Sequence, residues 1–138
     1  MDKALNYLGL SRKASLCELG EEPVGAITRN GKGYLVLVAS DASDHTWRRA
    51  KSFVAGTDQQ CVRLPYTKDE MGLATGRQSL AIAAITDPGM ALTLLSSLEG
   101  AEKYRAAMEV LSAKAERAKK RQAEAKAHQR NLRKGKKK

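Results

Sequence analysis

Ser43, Asp44 and His45 supply the three side-chain types of a hydrolytic relay, but they are consecutive in the chain. Neighbouring helical positions point about 100° apart, so no proton can be passed along such a run. The reading that fits is a helix start followed by an exposed histidine. His128 lies in a charged C-terminal segment outside any partner pattern. Gly31-Lys32-Gly33 and the stretch from Gly72 to Gly76 both lack the Gly-x-x-x-x-Gly-Lys-Ser/Thr loop that cradles nucleotide phosphates. Cys17 and Cys61 stand far apart without a Cys-x-x-Cys pair, which points to two small core thiols and not to a disulfide framework or a zinc site. No metal, cofactor or small-molecule substrate is expected, and the chain is not expected to be an enzyme.

The chemistry that remains is charge. The 138 residues carry a formal net charge of +10. Residues 1–100 hold 11 Lys+Arg against 11 Asp+Glu, whereas residues 101–138 hold 14 against 4, so the whole excess is in the tail. Its candidate phosphate-binding cations are Lys114, Arg117, Lys119, Lys120, Arg121, Lys126, Arg130, Arg133 and Lys134. At this density Lys and Arg displace counterions from a nucleic-acid backbone, giving salt-dependent affinity with little base information. No aromatic residue is interleaved among them, which argues against stacking on single strands. Residues 113–131 offer no apolar stripe, which disfavours a membrane-surface helix. No apolar run approaches the roughly 18 residues of a membrane span. The apolar stretch framed by Asp2, Arg12 and Lys13 is too short for a secretory signal. The expectation is a soluble, cytoplasmic protein with nucleic acid as its partner.

Positioning such groups requires a core, and with 42% hydrophobic but only 4% aromatic residues that core is aliphatic. Ala4, Leu5 and Leu8 recur at helical spacing between Asp2 and Ala14. Leu16 to Leu19 is a short extended piece, and Glu21-Glu22-Pro23 opens a second helix that ends at Asn30 with Gly31 as left-handed cap. Tyr34 to Ala39 reads as a strand buried on both faces. Ser43 caps a helix whose Trp47, Ala50, Phe53 and Val54 share one side, where both aromatics serve the core and not base stacking. Cys61 to Leu64 is a strand, Thr67 and Glu70 have capping-box spacing for a helix to Ala74, and Leu80 to Ile85 is another buried strand. Asp87 and Pro88 open a helix with Ala91, Leu94, Leu95 and Leu98 on its apolar face. Helices alternating with strands imply an α/β fold, a three-layer α/β/α sandwich around a small mixed four-stranded sheet. The expected boundary falls near residue 100, with a domain over 1–100 and a basic, helical or disordered tail over 101–138. Tyr104, Met108 and Leu111 continue a stripe able to dock on the domain, and beyond Ser112 nothing is expected to pack.

Specific strings add to this. Gly9-Leu-Ser-Arg-Lys-Ala-Ser, Gly20-Glu-Glu, Leu35-Val-Leu-Val-Ala-Ser-Asp-Ala-Ser, Met71-Gly-Leu-Ala-Thr-Gly and Ala81-Ile-Ala-Ala-Ile-Thr-Asp-Pro-Gly occur in that order over about residues 3–98. Together they resemble the L7Ae-like kink-turn-binding family of ribosomal proteins, and within it the bacterial YlxQ-like members. The resemblance implies the same sandwich and a ribosomal or ribosome-associated RNA-binding role, with ribosomal RNA as partner; the tail lies outside it. It also implies that RNA is gripped by the start of the second helix and by the loop before the last strand. In the first region Glu22 matches the family's acid, while Glu21 stands where the family has Asn and Gly25 where it has Lys. Two acids beside a phosphate backbone are unfavourable unless they accept from base amino groups. In the second region Arg77 and Gln78 are suitable donors, and Arg12 and Lys13 can reach the same surface. An RNA-binding protein of the translation machinery is the leading expectation. The alternatives are an accessory or substrate-recognition subunit of an RNA-modifying enzyme and a protein-interaction module whose tail engages an acidic partner.

Overall fold

Residues 2–136 are described by a computed structural model. Helix α1 (Lys3–Lys13) is followed by strand β1 (Cys17–Leu19), helix α2 (Glu21–Arg29), strand β2 (Leu35–Val38) and helix α3 (Asp44–Val54). Strand β3 (Gln60–Arg63), helix α4 (Lys68–Thr75), strand β4 (Ile82–Ile85) and helix α5 (Pro88–Ser96) complete the alternation. A single 3-10 turn (Ala101–Tyr104) then leads into the long helix α6 (Arg105–Lys136).

The local signals act as their chemistry requires. The Ser43 hydroxyl accepts from the Thr46 N–H, and the Asp87 carboxylate from the Met90 N–H ahead of Pro88. Thr67 and Glu70 form the reciprocal capping box, and Gly31 takes a φ of +73° past the end of α2. At the start of α1, Asp2 occupies the N-cap position without a side-chain hydrogen bond to the helix backbone, and no acid lies inside the first turn.

The sheet order is β1-β4-β2-β3, with β4 antiparallel to both neighbours and β2 parallel to β3. All residues of β2 and β4 are buried, because helices cover both faces of the sheet. Helices α2 and α3 form one layer; α1, α4 and α5 form the other, and α6 packs on α5. The fold is the three-layer α/β/α sandwich with a mixed four-stranded sheet. On α3 only Ala50 is fully buried, while Trp47, Phe53 and Val54 lie half-buried against the core.

Packing continues past residue 100. Leu111 is completely buried, Ala107 and Ala115 are nearly so, and Tyr104 and Met108 pack against the core. The expectation that nothing beyond Ser112 packs is therefore corrected: Ala115 is buried although it is only an alanine, and Lys114 is drawn inward by a charge partner and a ring. The Lys114 ammonium lies 2.8 Å from the Asp58 carboxylate and 5.2 Å from the centre of the Tyr34 ring. That ammonium holds the Asp58 carboxyl below the usual carboxylate range. A depressed pKa stabilises the fold above the ordinary carboxylate value, and the contribution fades as pH falls through the depressed one. Asp58 is largely exposed, so solvent keeps the effect small.

Leu111→Ala should lower the unfolding free energy by about 2–5 kcal/mol, the usual cost of emptying a fully buried leucine site, measured by denaturant titration. A chain ending at Ala118 should keep a cooperative transition, and one ending at Gly100 should unfold at lower denaturant because it lacks Ala107 and Leu111.

Candidate functional site

The pairing register places the end of β1, the end of β2, the end of β3 and the start of β4 together, since Leu19 faces Ala83, Val38 faces Ile82 and Val38 faces Arg63. Two connections meet at this end of the sheet. The first is the start of α2. Gly20, with φ +95°, turns the chain from β1 into the helix, and its N–H donates to the Ile82 carbonyl at 3.0 Å. The second is the loop from α4 to β4. Gly76 closes α4 in the left-handed conformation, the Arg77 N–H donates to the Gly72 carbonyl at 2.8 Å, and the Leu80 N–H donates to the Lys68 carbonyl at 3.0 Å. The loop lies directly on Gly72, where an added Cβ would come within 2.8 Å of the Arg77 carbonyl and the Ser79 nitrogen. Only glycine allows this approach.

Arg77 is thereby brought to the start of α2: one of its guanidinium nitrogens lies 3.7 Å from where a Cβ on Gly20 would be. Arg77, Gln78 and Glu22 are exposed. Arg12 is exposed in the last turn of α1, shortly before β1 begins at Cys17. Burial and Glu18 outweigh the guanidinium groups of Arg12 and Arg77, so the Cys17 thiol is pushed up from its ordinary value. Burial also raises Cys61, to about 11. Both are free thiols, and a raised pKa leaves them mostly protonated and poorly nucleophilic at neutral pH. Lys13 is exposed and lines a shallow groove between α1 and α4 with Leu10 and Ala74.

Glu21 is not a free acid. The Arg49 Nε donates to its carboxylate at 2.6 Å, joining α3 to the start of α2. Beside this pair Gly25 opens a groove floored by Phe53, whose ring carbons would stand 3.2 Å from a Cβ at position 25, with Arg29 3.6 Å from the same point. Arg29 and Arg49 thus place two guanidinium groups next to Glu21 and Glu22. The sequence singled out neither arginine, because the link between residues 21 and 49 exists only once α2 and α3 pack side by side. Hydrophobic spacing on α3 was the available signal, and it indicates the buried side alone.

The tail cations divide. Lys114 is drawn into the fold by Asp58 and Tyr34, with 15% of its side chain exposed. Arg117, Lys119, Lys120, Arg121, Lys126 and Arg130 are exposed along α6. Arg133 and Lys134 belong to the same helix, but their side chains lie outside the described residues. Among the described residues no cluster of His, Cys, Asp and Glu is able to hold a metal, and no helix is long and apolar enough to cross a membrane.

The four-stranded α/β/α sandwich, with the start of α2 set against the loop that carries Arg77, has the architecture that the L7Ae-like resemblance implies. Comparison with known proteins agrees. The chain is 33% identical over 97 residues to the RNA-binding protein YlxQ of Bacillus subtilis (strain 168), covering 67% of this chain and 91% of that protein. It is 32% identical over 98 residues to the RNA-binding protein YlxQ of Enterococcus faecium, covering 71% and 93%. The chain belongs to the YlxQ family, within the L7Ae-like group. No family model matches it. A protein of unknown function from Bacillus halodurans superimposes with a TM-score of 0.66 at 26% identity, covering 70% of this chain and 97% of that one. The Giardia lamblia 15.5kD RNA binding protein shares the fold, with a TM-score of 0.53 at 18% identity over 70% of this chain and 85% of its own.

Gly72→Ala should displace the loop that carries Arg77, seen as a lowered melting temperature and as shifted amide resonances at residues 77–79 in NMR spectra. If the loop and its resonances stayed in place, the close approach at Gly72 would not be what holds them.

Proposed function

We propose that this chain is a non-enzymatic RNA-binding protein of the translation machinery, acting in the cytoplasm on a structured site in ribosomal RNA, with a kink-turn as the first candidate. The observation that carries the reading is the Arg77 guanidinium beside Gly20. It joins into one surface the two regions that the family resemblance assigns to RNA, although they are more than fifty residues apart in the chain. The names of the two YlxQ relatives, both RNA-binding proteins, support it.

Each group has a role that its chemistry suits. Arg77 offers a planar fork able to hold a guanine edge or a phosphate through two bonds. Gln78 supplies a neutral donor and acceptor. Glu22 is an exposed acceptor suited to base amino groups. Arg12 and Lys13 add cations at the end of α1, shortly before β1. Glu21 would repel a phosphate backbone, but Arg49 neutralises it across a 2.6 Å contact. That pair is how the surface tolerates an acid where the family carries Asn. The exposed cations of α6 add affinity through phosphates, without reading sequence.

Titration against a kink-turn and a straight duplex of equal length tests the reading. Arg77→Ala should cost roughly 1–3 kcal/mol on the kink-turn and little on the duplex, and Arg77→Lys should not restore it. Equal losses on both RNAs would make Arg77 a general phosphate contact. Arg49→Ala should weaken binding severalfold by leaving Glu21 uncompensated, and adding Glu21→Gln should recover the loss. Replacing Lys119, Lys120, Arg121 and Lys126 with glutamine should flatten the plot of log K against log salt by about 0.7–0.9 for each phosphate that is no longer neutralised.

A further inference from the structure

The course of α6 can be followed against the sheet. Near its start, the Tyr104 hydroxyl donates to the Arg63 carbonyl at 3.5 Å, and Arg63 belongs to the end of the sheet where Gly20 and Arg77 lie. Ten residues on, Lys114 meets Asp58 and Tyr34, which lead into the first residues of β3 and β2. Leu35 pairs with Gln60 on one side and with Ile85, the last residue of β4, on the other, so these strand starts form the opposite end. Helix α6 therefore runs from the Arg77 end of the sheet to the other end, and the Lys114 contacts fix it there.

Beyond Ala115 the helix continues to Lys136 without a break. At 1.5 Å per residue, the portion after Glu116 extends about 30 Å. It points away from the Arg77 surface. Between Arg117 and Arg130 it carries six cations and one acid, all exposed and distributed around the axis. Its middle stands on the order of 25 Å from the Arg77 end, adding a strand length to the helical rise. That is two to three times the screening length of about 8–10 Å at ordinary ionic strength. The arm and the domain surface are electrostatically independent and cannot hold the same few nucleotides.

Resting on the RNA-binding reading above, we propose that α6 is a second RNA site, so that the protein bridges two segments of one folded RNA. The Arg77 surface holds one segment, and the arm holds the phosphate backbone of another. A rod charged on every side, without an apolar or aromatic face, is matched by phosphates on more than one side, as between two packed RNA helices. A flat acidic surface would use only part of that charge. With both sites engaged on one molecule, the second contact forms at high effective concentration, and affinity rises without new base contacts.

The full chain is tested with two probe RNAs, a kink-turn with long helices on both sides and the same kink-turn with those helices trimmed. Photo-crosslinking residues are placed singly at Ala26, on α2 beside Glu22, and at Gln122 on the arm, both exposed. The expected result is that position 26 links to the kink-turn and position 122 to a flanking helix. Trimming should weaken binding about tenfold or more, and replacing Lys119, Lys120, Arg121 and Lys126 with glutamine should abolish this dependence on helix length. Links from both positions to the same nucleotides, links from position 26 alone, or a length dependence that survives the four replacements would each overturn the bridge while leaving the domain's RNA reading intact. Absence of binding to both probes would overturn the RNA reading and the bridge together.

Discussion

Strand β4 lies between β1 and β2 and pairs antiparallel with both, and the surface around Arg77 depends on that placement. Because β4 runs against its neighbours, the loop that enters it must arrive where β1 leaves the sheet. Gly20 is then forced against Ile82, and Arg77, five residues before Ile82, has no choice but to stand beside the start of α2. Burial of Ile82, Ala83, Ala84 and Ile85 makes this pairing costly to shift. A slip of one residue would turn each side chain to the other helical layer. Two alanines in the middle of the strand leave room for helices to approach on both faces.

Much of this was legible in advance, for reasons that differ by element. Ser43, Thr67 with Glu70, and Asp87 with Pro88 state their helix starts through bonds that span three residues, so local sequence contains the whole interaction. The buried strands declare themselves by unbroken apolar runs. What could not be read are contacts between distant parts of the chain. The pairing of Glu21 with Arg49 spans 28 residues, and that of Lys114 with Asp58 spans 56. Each changes how a charged residue is understood: Glu21 is neutralised and Lys114 is committed inside the fold. The sequence presented Lys114 as a phosphate-binding cation and, through the resemblance, Glu21 as an acid beside the RNA backbone. Gly72 was similarly visible only as a residue in a string, and its purpose emerges from the backbone that crosses it. For the candidate site, Arg77, Gln78 and Glu22 were reached through resemblance, whereas Arg29 and Arg49 required the packed helices.

The division of charge follows from the same geometry. A neutral domain can keep acids and bases in paired positions, where an acid such as Glu21 gains a neighbour. An excess of cations placed on that surface would repel itself and erase the distinction between one RNA feature and another. Moving the excess to a helix that leaves from the far end removes the conflict, since screening prevents the arm from disturbing the pairs around α2. Among the described residues Ala115 is the last buried one on α6, well past the change of composition near residue 100.

The burial of Leu111 and Ala115 also has a consequence for how the protein is made. Synthesis proceeds from the N-terminus, so α1 through α5 emerge while the hollow that these two side chains fill is still empty. β1 must wait as well, because its partner strand β4 lies more than sixty residues later in the chain. Until α6 appears, the nascent domain keeps the apolar surface that Leu111 and Ala115 later cover open to chaperones or to neighbouring chains. Its strand pairings are long in sequence separation, which slows the final collapse in comparison with a helical bundle of equal size.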